Sequence, residues 1–382
     1  MNAAARTKRS AYMEWAKTRS HAKFNLATSG LLNFPFEEFP LRIDDLELTA
    51  TSGYGYEPLI QRLARHTGVP EESIVTATGT SMANHLAMAA VLDPGDEVLM
   101  ELPVYGPMLD VAEYLGARIK RISRRFENDF AIDLAALAKA LTPDTRLIAL
   151  TNLHNPSGAL IPAETMRAIG ELAQRAHARV LVDEVYLEML FGCSAPFCFP
   201  IGEALAANGE NPFIVTSSLT KAYGLSGLRC GWILASPALA KRMWLLNDLF
   251  AASPVHSAER MCVMALDHLE LFRGRARTLL AANRPLLDAF LDSRNDLECF
   301  RPPAGTVFFP RLTRGDPQSF FKLLREKYET TVVPGEFFEM PRHFRLGIGG
   351  DTPGLRAGLE RLSAALDEFA NTNPDFSSLP SQ

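Results

Sequence analysis

From about residue 70 to residue 235, short runs of apolar and β-branched residues alternate with segments whose apolar positions recur at helical spacing. The runs predict strands at Ser73 to Ala77, Glu97 to Met100, Arg118 to Arg121, Leu147 to Asn152, Val180 to Asp183, Phe213 to Ser217 and Cys230 to Leu234. Between them the spacing predicts helices at Met82 to Leu92, at Leu134 to Leu141 capped by Asp133, and at Ala163 to Ala176 after Pro162. Strand–helix alternation of this kind implies an α/β unit, a mostly parallel sheet wrapped by helices.

The rest of the chain follows another rhythm. A long helical stretch from about Pro237 to Leu291 leads into a strand at Thr306 to Phe309, a helix near Gln318 to Lys327, two short strands and a closing helix at Gly354 to Phe369. This order predicts a smaller α+β domain. Pro35, Pro40 and the FPFEEFP run suit an extended N-terminal arm better than a helix. The expected organisation is an arm joining the small domain at 1–45, a large domain at 46–285, the small domain at 286–372 and a disordered tail at 373–382.

Composition narrows the function. The chain has 382 residues, 47% hydrophobic and 22% charged, which is enough for one large core and a second domain. A formal net charge of −5 and the lack of a Lys/Arg-rich run argue against a nucleic-acid partner; Arg6, Lys8 and Arg9 read as a solvated tail. No apolar stretch approaches the roughly 18 residues needed to span a bilayer, and the first thirty residues are too polar for a signal peptide. No membrane association and a cytoplasmic location are therefore expected. Five cysteines, Cys193, Cys198, Cys230, Cys262 and Cys299, are an odd number without CxxC spacing. They read as buried small apolar residues or bystanders, with neither a disulfide framework nor a metal site.

The chemistry concentrates in the segment Ser217-Ser218-Leu219-Thr220-Lys221-Ala222-Tyr223-Gly224-Leu225-Ser226-Gly227-Leu228-Arg229-Cys230-Gly231-Trp232. It holds a lysine, hydroxyls just before it and an arginine eight residues on. A Schiff-base lysine needs a neutral amine, and a phosphate-bearing cofactor needs hydroxyl donors and an arginine fork. A lone lysine beside a strand would be a surface residue. The whole string, however, resembles the lysine signature of the fold-type-I aminotransferases of classes I and II, with Thr220 in place of its second serine.

Three further segments resemble the same family in the expected order. Gly79-Thr80-Ser81-Met82-Ala83 follows a strand and opens a helix, where backbone N–H groups can cradle a phosphate. Pro103-Val104-Tyr105 is similar to the family's PxY segment, and His154-Asn155-Pro156-Ser157-Gly158 to its NPxG motif, with Asp183-Glu184-Val185-Tyr186 ending the next strand. Taken singly these are a core tyrosine, an ordinary turn and an acidic strand end. At the carboxyl ends of parallel strands they fall where α/β sheets bind ligands.

The resemblance covers about Phe24 to Phe369 and implies pyridoxal 5'-phosphate (PLP) as cofactor. Lys221 would anchor it and carry the 1,3-proton shift between an amino acid and its 2-oxo acid. Asp183 would face the pyridine nitrogen, Asn155 and Tyr186 the phenolic oxygen, and Tyr105 would stack on the ring. Gly79, Thr80, Ser81, Ser218 and Arg229 would hold the phosphate. Arg345, in Phe344-Arg345-Leu346-Gly347-Ile348-Gly349, would grip the substrate α-carboxylate, with Gly30 touching the same group. A homodimer is also implied. The chain departs from the family at Ala50, where many relatives carry a tyrosine that reaches across the dimer. Nor does Phe250 to Glu259 hold the arginine of dicarboxylate-specific members, which disfavours aspartate-type specificity.

Other classes are weaker. Decarboxylases, β-lyases, cyclases and amino-acid oxidases of the same fold reuse the same lysine, aspartate and arginine, so they remain alternatives to amino transfer. Ser81 as a hydrolase nucleophile lacks a local acid or histidine partner. A PLP-sensing transcription factor would need a DNA-binding module within the roughly 70 residues before Gly79, which the arm and first helices must already occupy. An NAD enzyme would need a GxGxxG after a strand; Gly53-Tyr54-Gly55-Tyr56-Glu57-Pro58 lacks the third glycine.

Overall fold

The computed structural model describes residues 6–43, 46–47, 49, 53–191, 197–206 and 210–372. Ala50, Cys193 and the tail Pro374 to Gln382 lie outside the described residues. The chain opens with helix α1 (Ala11–Thr18) and the two-residue strand β1 (Phe24–Asn25), followed by α2 (Glu57–Thr67). Then come β2 (Ile74–Thr78), α3 (Gly79–Val91), β3 (Glu97–Leu102), α4 (Gly106–Leu115), β4 (Arg118–Ser123), α5 (Leu134–Ala140) and β5 (Thr145–Thr151). They lead to α6 (Ala163–Arg175), β6 (Arg179–Asp183), α7 (Cys198–Leu205), β7 (Phe213–Ser218) and β8 (Cys230–Leu234).

The last seven of these strands, β2 to β8, form one sheet in the order β2-β8-β7-β6-β5-β3-β4, in which only β8 runs against the others. Val180, Leu181, Val182 and Asp183 of β6 are buried in succession, so both faces of the sheet are covered. Helix α3 packs across β6, β7 and β8, and α6 and α7 pack on β6 and β7. The Asp133 carboxylate caps α5 as its position predicts, accepting from the N–H groups of Ala135 and Ala136.

The helical stretch after β8 divides into α8 (Pro237–Asn247), α9 (His256–Asp267) and α10 (Leu269–Asp292). Beyond it lie the short strands β9 (Leu297–Glu298), β10 (Val307–Phe308) and β11 (Arg311–Leu312), helix α11 (Pro317–Glu326), strands β12 (Thr330–Thr331), β13 (Val333–Pro334) and β14 (Phe344–Gly347), and α12 (Thr352–Thr372). Strands β10, β14 and β13 make an antiparallel sheet, and β1 returns from the N-terminus to pair with β12. The N-terminal segment thus joins the C-terminal unit.

The N-terminal segment is not extended throughout, because α1 forms well ahead of Pro35. Ser10 caps it by accepting from the Met13 N–H, and Tyr12 is buried in a second core with Ala27, Phe130, Phe309, Val333 and Phe338. The prolines govern only their own neighbourhood, where Phe36–Glu38 makes a single 3-10 turn.

Candidate active site

Sheet direction explains where the functional residues meet. Strands β2, β3, β5, β6 and β7 run the same way, so their carboxyl ends share one edge, and antiparallel β8 starts at that edge. Ser218 ends β7, Asp183 ends β6, and Arg229 immediately precedes β8. A cavity of about 170 Å³ lies there, lined by Thr80, Ser81, Tyr105, Asn155, Asp183, Tyr186, Ser218, Lys221 and Arg229 among others.

The partly buried Lys221 amine donates to Ser29 Oγ at 2.8 Å. Burial, with a smaller push from Arg345, lowers its pKa from 10.5 to about 8, which enlarges the fraction present as neutral nucleophile at physiological pH. Asp183 is buried, accepting from Asn84 Nδ2 at 2.8 Å and from the Val185 N–H at 3.0 Å. Burial raises its pKa to about 6 against the pull of those two hydrogen bonds and of Lys221. The Asn155 carboxamide oxygen accepts from Arg345 Nη1 at 3.0 Å, and its backbone N–H is fixed by Thr151 Oγ1 at 2.9 Å.

A second group of residues clusters where α3 begins. Thr80 donates to Ser218 Oγ at 2.8 Å. The Thr78 side chain does not cap α3; the Gly79 N–H donates to the Arg229 carbonyl at 2.8 Å, which leaves the N–H groups of Thr80 and Ser81 in the first turn to face an anion. Arg229 lies across this helix end. Its Nη2 stands 2.3 Å from where a β-carbon on Gly79 would sit, and Gly79 has φ +74°. Only glycine tolerates both that backbone conformation and that approach.

Arg345 does not line the cavity itself but stands behind Asn155, fully buried, with its guanidinium also bonded to the Tyr12 hydroxyl at 2.9 Å and the Ala27 carbonyl at 3.2 Å. Gly30 packs against the Lys221 side chain and borders an adjoining cavity of about 300 Å³ that also reaches Lys221, Ser29 and Tyr105.

Several residues here escape sequence reasoning. Ser29 and Tyr12 carry no local motif. Asn84 had a readable signal: it sits four residues after Thr80, on the same face of α3.

A PLP-type cofactor calls for a lysine of depressed pKa, a buried carboxylate for a protonated ring nitrogen, donors for a phenolate, and an anion cradle. Lys221, Asp183, Asn155 and the α3 terminus with Arg229 meet these needs. Two further polar atoms, the Tyr186 hydroxyl and Thr220 Oγ1, are buried without a hydrogen-bond partner among the described residues, as expected of groups that meet a ligand. The residues present fit the cofactor. Among the described residues no His/Cys/Asp/Glu cluster could hold a metal ion, and no helix is long and apolar enough to cross a membrane.

The fold is that of a PLP-dependent enzyme. The profile of the family described as aminotransferase class I and II matches residues 44–362, and the chain belongs to that family. Arginine–pyruvate transaminase AruH of Pseudomonas aeruginosa is 30% identical over 82% of this chain and 81% of its own. Capreomycidine synthase of Streptomyces vinaceus is 28% identical over 94% and 93%. A PLP-dependent aminotransferase from Streptococcus suis has the same fold, with a TM-score of 0.87 at 24% identity over 99% of this chain and all of that one.

Proposed function

We propose that this enzyme moves the amino group of a 2-amino acid to a 2-oxo acid, with Lys221 as covalent anchor and proton carrier. The observation that carries the reading is the convergence of Lys221, Asp183, Asn155 and Arg229 on one cavity at the carboxyl edge of the sheet. PLP supplies an electrophilic aldehyde and a ring able to accept carbanion charge. Above about pH 6 the Asp183 carboxylate is ionised and can pair with a protonated ring nitrogen. Lys221, its pKa lowered to about 8 by burial, would accept the proton from a substrate Cα as a neutral amine and hold it as an ammonium until it is handed on. Tyr186 has a spare hydroxyl proton for a phenolate, its pKa pushed up to about 12 by burial, so it acts as a donor. Arg345, reached through Asn155, has an Nε without an acceptor among the described residues and would orient the substrate through its α-carboxylate.

Exposed Leu249, Phe250 and Val255 support a homodimer. A second reading, cyclisation of an amino acid by the same residues, is supported by the match to capreomycidine synthase, which spans more of the chain than the transaminase match does. A half-reaction separates the two. Incubating the PLP-loaded enzyme with single amino acids should yield the pyridoxamine form and a 2-oxo acid in equal amounts. A cyclised product, ammonia or CO2 without the pyridoxamine form would reject amino transfer.

A further inference from the structure

Tyr12 occupies an unusual place for a residue so near the N-terminus. Its ring is buried in α1 and wedged among Tyr105, Phe337 and Phe338, with centroids 5.6, 5.9 and 6.0 Å away. Its hydroxyl meets Arg345, 333 positions along the chain. That hydrogen bond has a direction. Arg345 Nη2 can only donate, so the Tyr12 oxygen accepts, and the phenol's own proton must point elsewhere. Among the described residues none accepts it. A buried tyrosine hydroxyl ordinarily gives its proton to a partner. Arg345 shows the same deficit, since its Nε is buried without an acceptor. Two unused donors from opposite ends of the chain therefore stand beside one guanidinium, and what both lack is an anionic oxygen.

We propose that Tyr12 and Arg345 together form the carboxylate-binding pair, Tyr12 donating a hydrogen bond to the substrate α-carboxylate that Arg345 neutralises. The proposal rests on the reading of Arg345 as the carboxylate anchor and adds a residue to it. Helix α1 thereby becomes part of the substrate site: Met13, the next residue, lines the main cavity, and Tyr12, Met13 and Trp15 all border the adjoining one. The aromatic clamp on the Tyr12 ring fixes its hydroxyl in advance, so little ordering is needed when substrate arrives.

The test is Tyr12→Phe, which keeps the ring and deletes only the hydroxyl. With PLP-loaded enzyme and the best amino-acid substrate from the half-reaction, KM is expected to rise about tenfold with kcat within about twofold, the loss of one hydrogen bond to a charged group. Preference for the amino acid over its carboxamide should shrink by a similar factor, a change that loosened packing alone would not produce. Unchanged KM and unchanged carboxylate preference in Tyr12→Phe would overturn the proposal. Arg345→Lys separates this from the underlying reading. If KM rises in Arg345→Lys but not in Tyr12→Phe, Arg345 is the anchor and Tyr12 is not part of it; if neither changes KM, the reading of Arg345 itself fails. Should Tyr12→Phe not fold, Tyr12→Leu, which is smaller and also lacks a donor, carries the same carboxylate-versus-carboxamide comparison, with an unchanged preference again overturning the proposal.

Discussion

Asn84 Nδ2 donates a 2.8 Å hydrogen bond to Asp183 Oδ2 across the interior between α3 and β6. Thr216 fixes the orientation of that amide by donating to Asn84 Oδ1 at 2.6 Å, so the amide can turn only its N–H face to the carboxylate. Burial drives Asp183 toward its neutral form and Asn84 opposes it. Asn84 is therefore a positioning residue whose effect should be visible in the titration of Asp183.

The pH dependence of cofactor uptake follows from these directions. In the proposed site Asp183, near 6, would have to lose its proton to pair with a protonated ring nitrogen, and Lys221, near 8, would have to lose its own to act as a nucleophile. Uptake of PLP by cofactor-free enzyme, followed by visible absorbance, should therefore rise with pH in two steps, near 6 and near 8. Asn84→Leu removes a hydrogen bond that favours the carboxylate, so its lower step should move to higher pH while the upper step stays. Coincident lower steps would show that Asn84 does not tune Asp183.

Lys221→Ala should retain the fold, since the side chain is only partly buried and its one hydrogen bond is to Ser29. On the proposed role of Lys221 as proton carrier, its removal should lower kcat by at least about 10²–10⁴. Borohydride treatment, then denaturation and mass spectrometry, should leave cofactor mass on the parent chain at Lys221 and none on the variant. Cofactor fixed to another lysine would refute the assignment.

Gly79→Ala tests the anion cradle. The added methyl would stand 2.3 Å from Arg229 Nη2 at a φ of +74°, so the guanidinium must move off the end of α3. The strained backbone should cost about 1 kcal/mol of stability. PLP affinity, measured by fluorescence titration, should fall by tenfold or more as the arginine contact is lost. An unchanged affinity would place the phosphate elsewhere.

The large sheet was legible because parallel strands buried on both faces leave unbroken apolar runs, and β8 was placed to the residue. Lys221 and its neighbours were legible because a contiguous string carries them. Tyr12, Ser29 and Glu101 were not, since each acts on residues far away in sequence: Tyr12 on Arg345, Ser29 on Lys221, Glu101 on Thr151. The N-terminal helix was hidden for a different reason. Two prolines outweighed an eight-residue amphipathic segment whose burial depends on aromatic residues more than 300 positions downstream.

Glu101 and Arg124 provide a test of how the Asn155 loop is supported. Both are fully buried and bond at 2.8 Å. The other Glu101 oxygen accepts from the N–H and the hydroxyl of Thr151, whose hydroxyl in turn holds the Asn155 N–H. Burial pushes the Glu101 pKa up and Arg124 pulls it down. Arg124→Met would leave the carboxylate buried and uncompensated, at a cost of about 3–5 kcal/mol in urea unfolding of the cofactor-free protein at pH 8. The variant Glu101 then has a pKa further above its unfolded value, so it binds more protons folded than unfolded as pH falls. Its deficit against the parent should therefore shrink toward pH 5. Pairing Arg124→Met with Glu101→Gln should recover much of the loss, because it removes the stranded charge while keeping an acceptor for Thr151. A deficit that is constant with pH, or a double variant no more stable than Arg124→Met, would mean that the arginine acts through its packing volume and not through its charge.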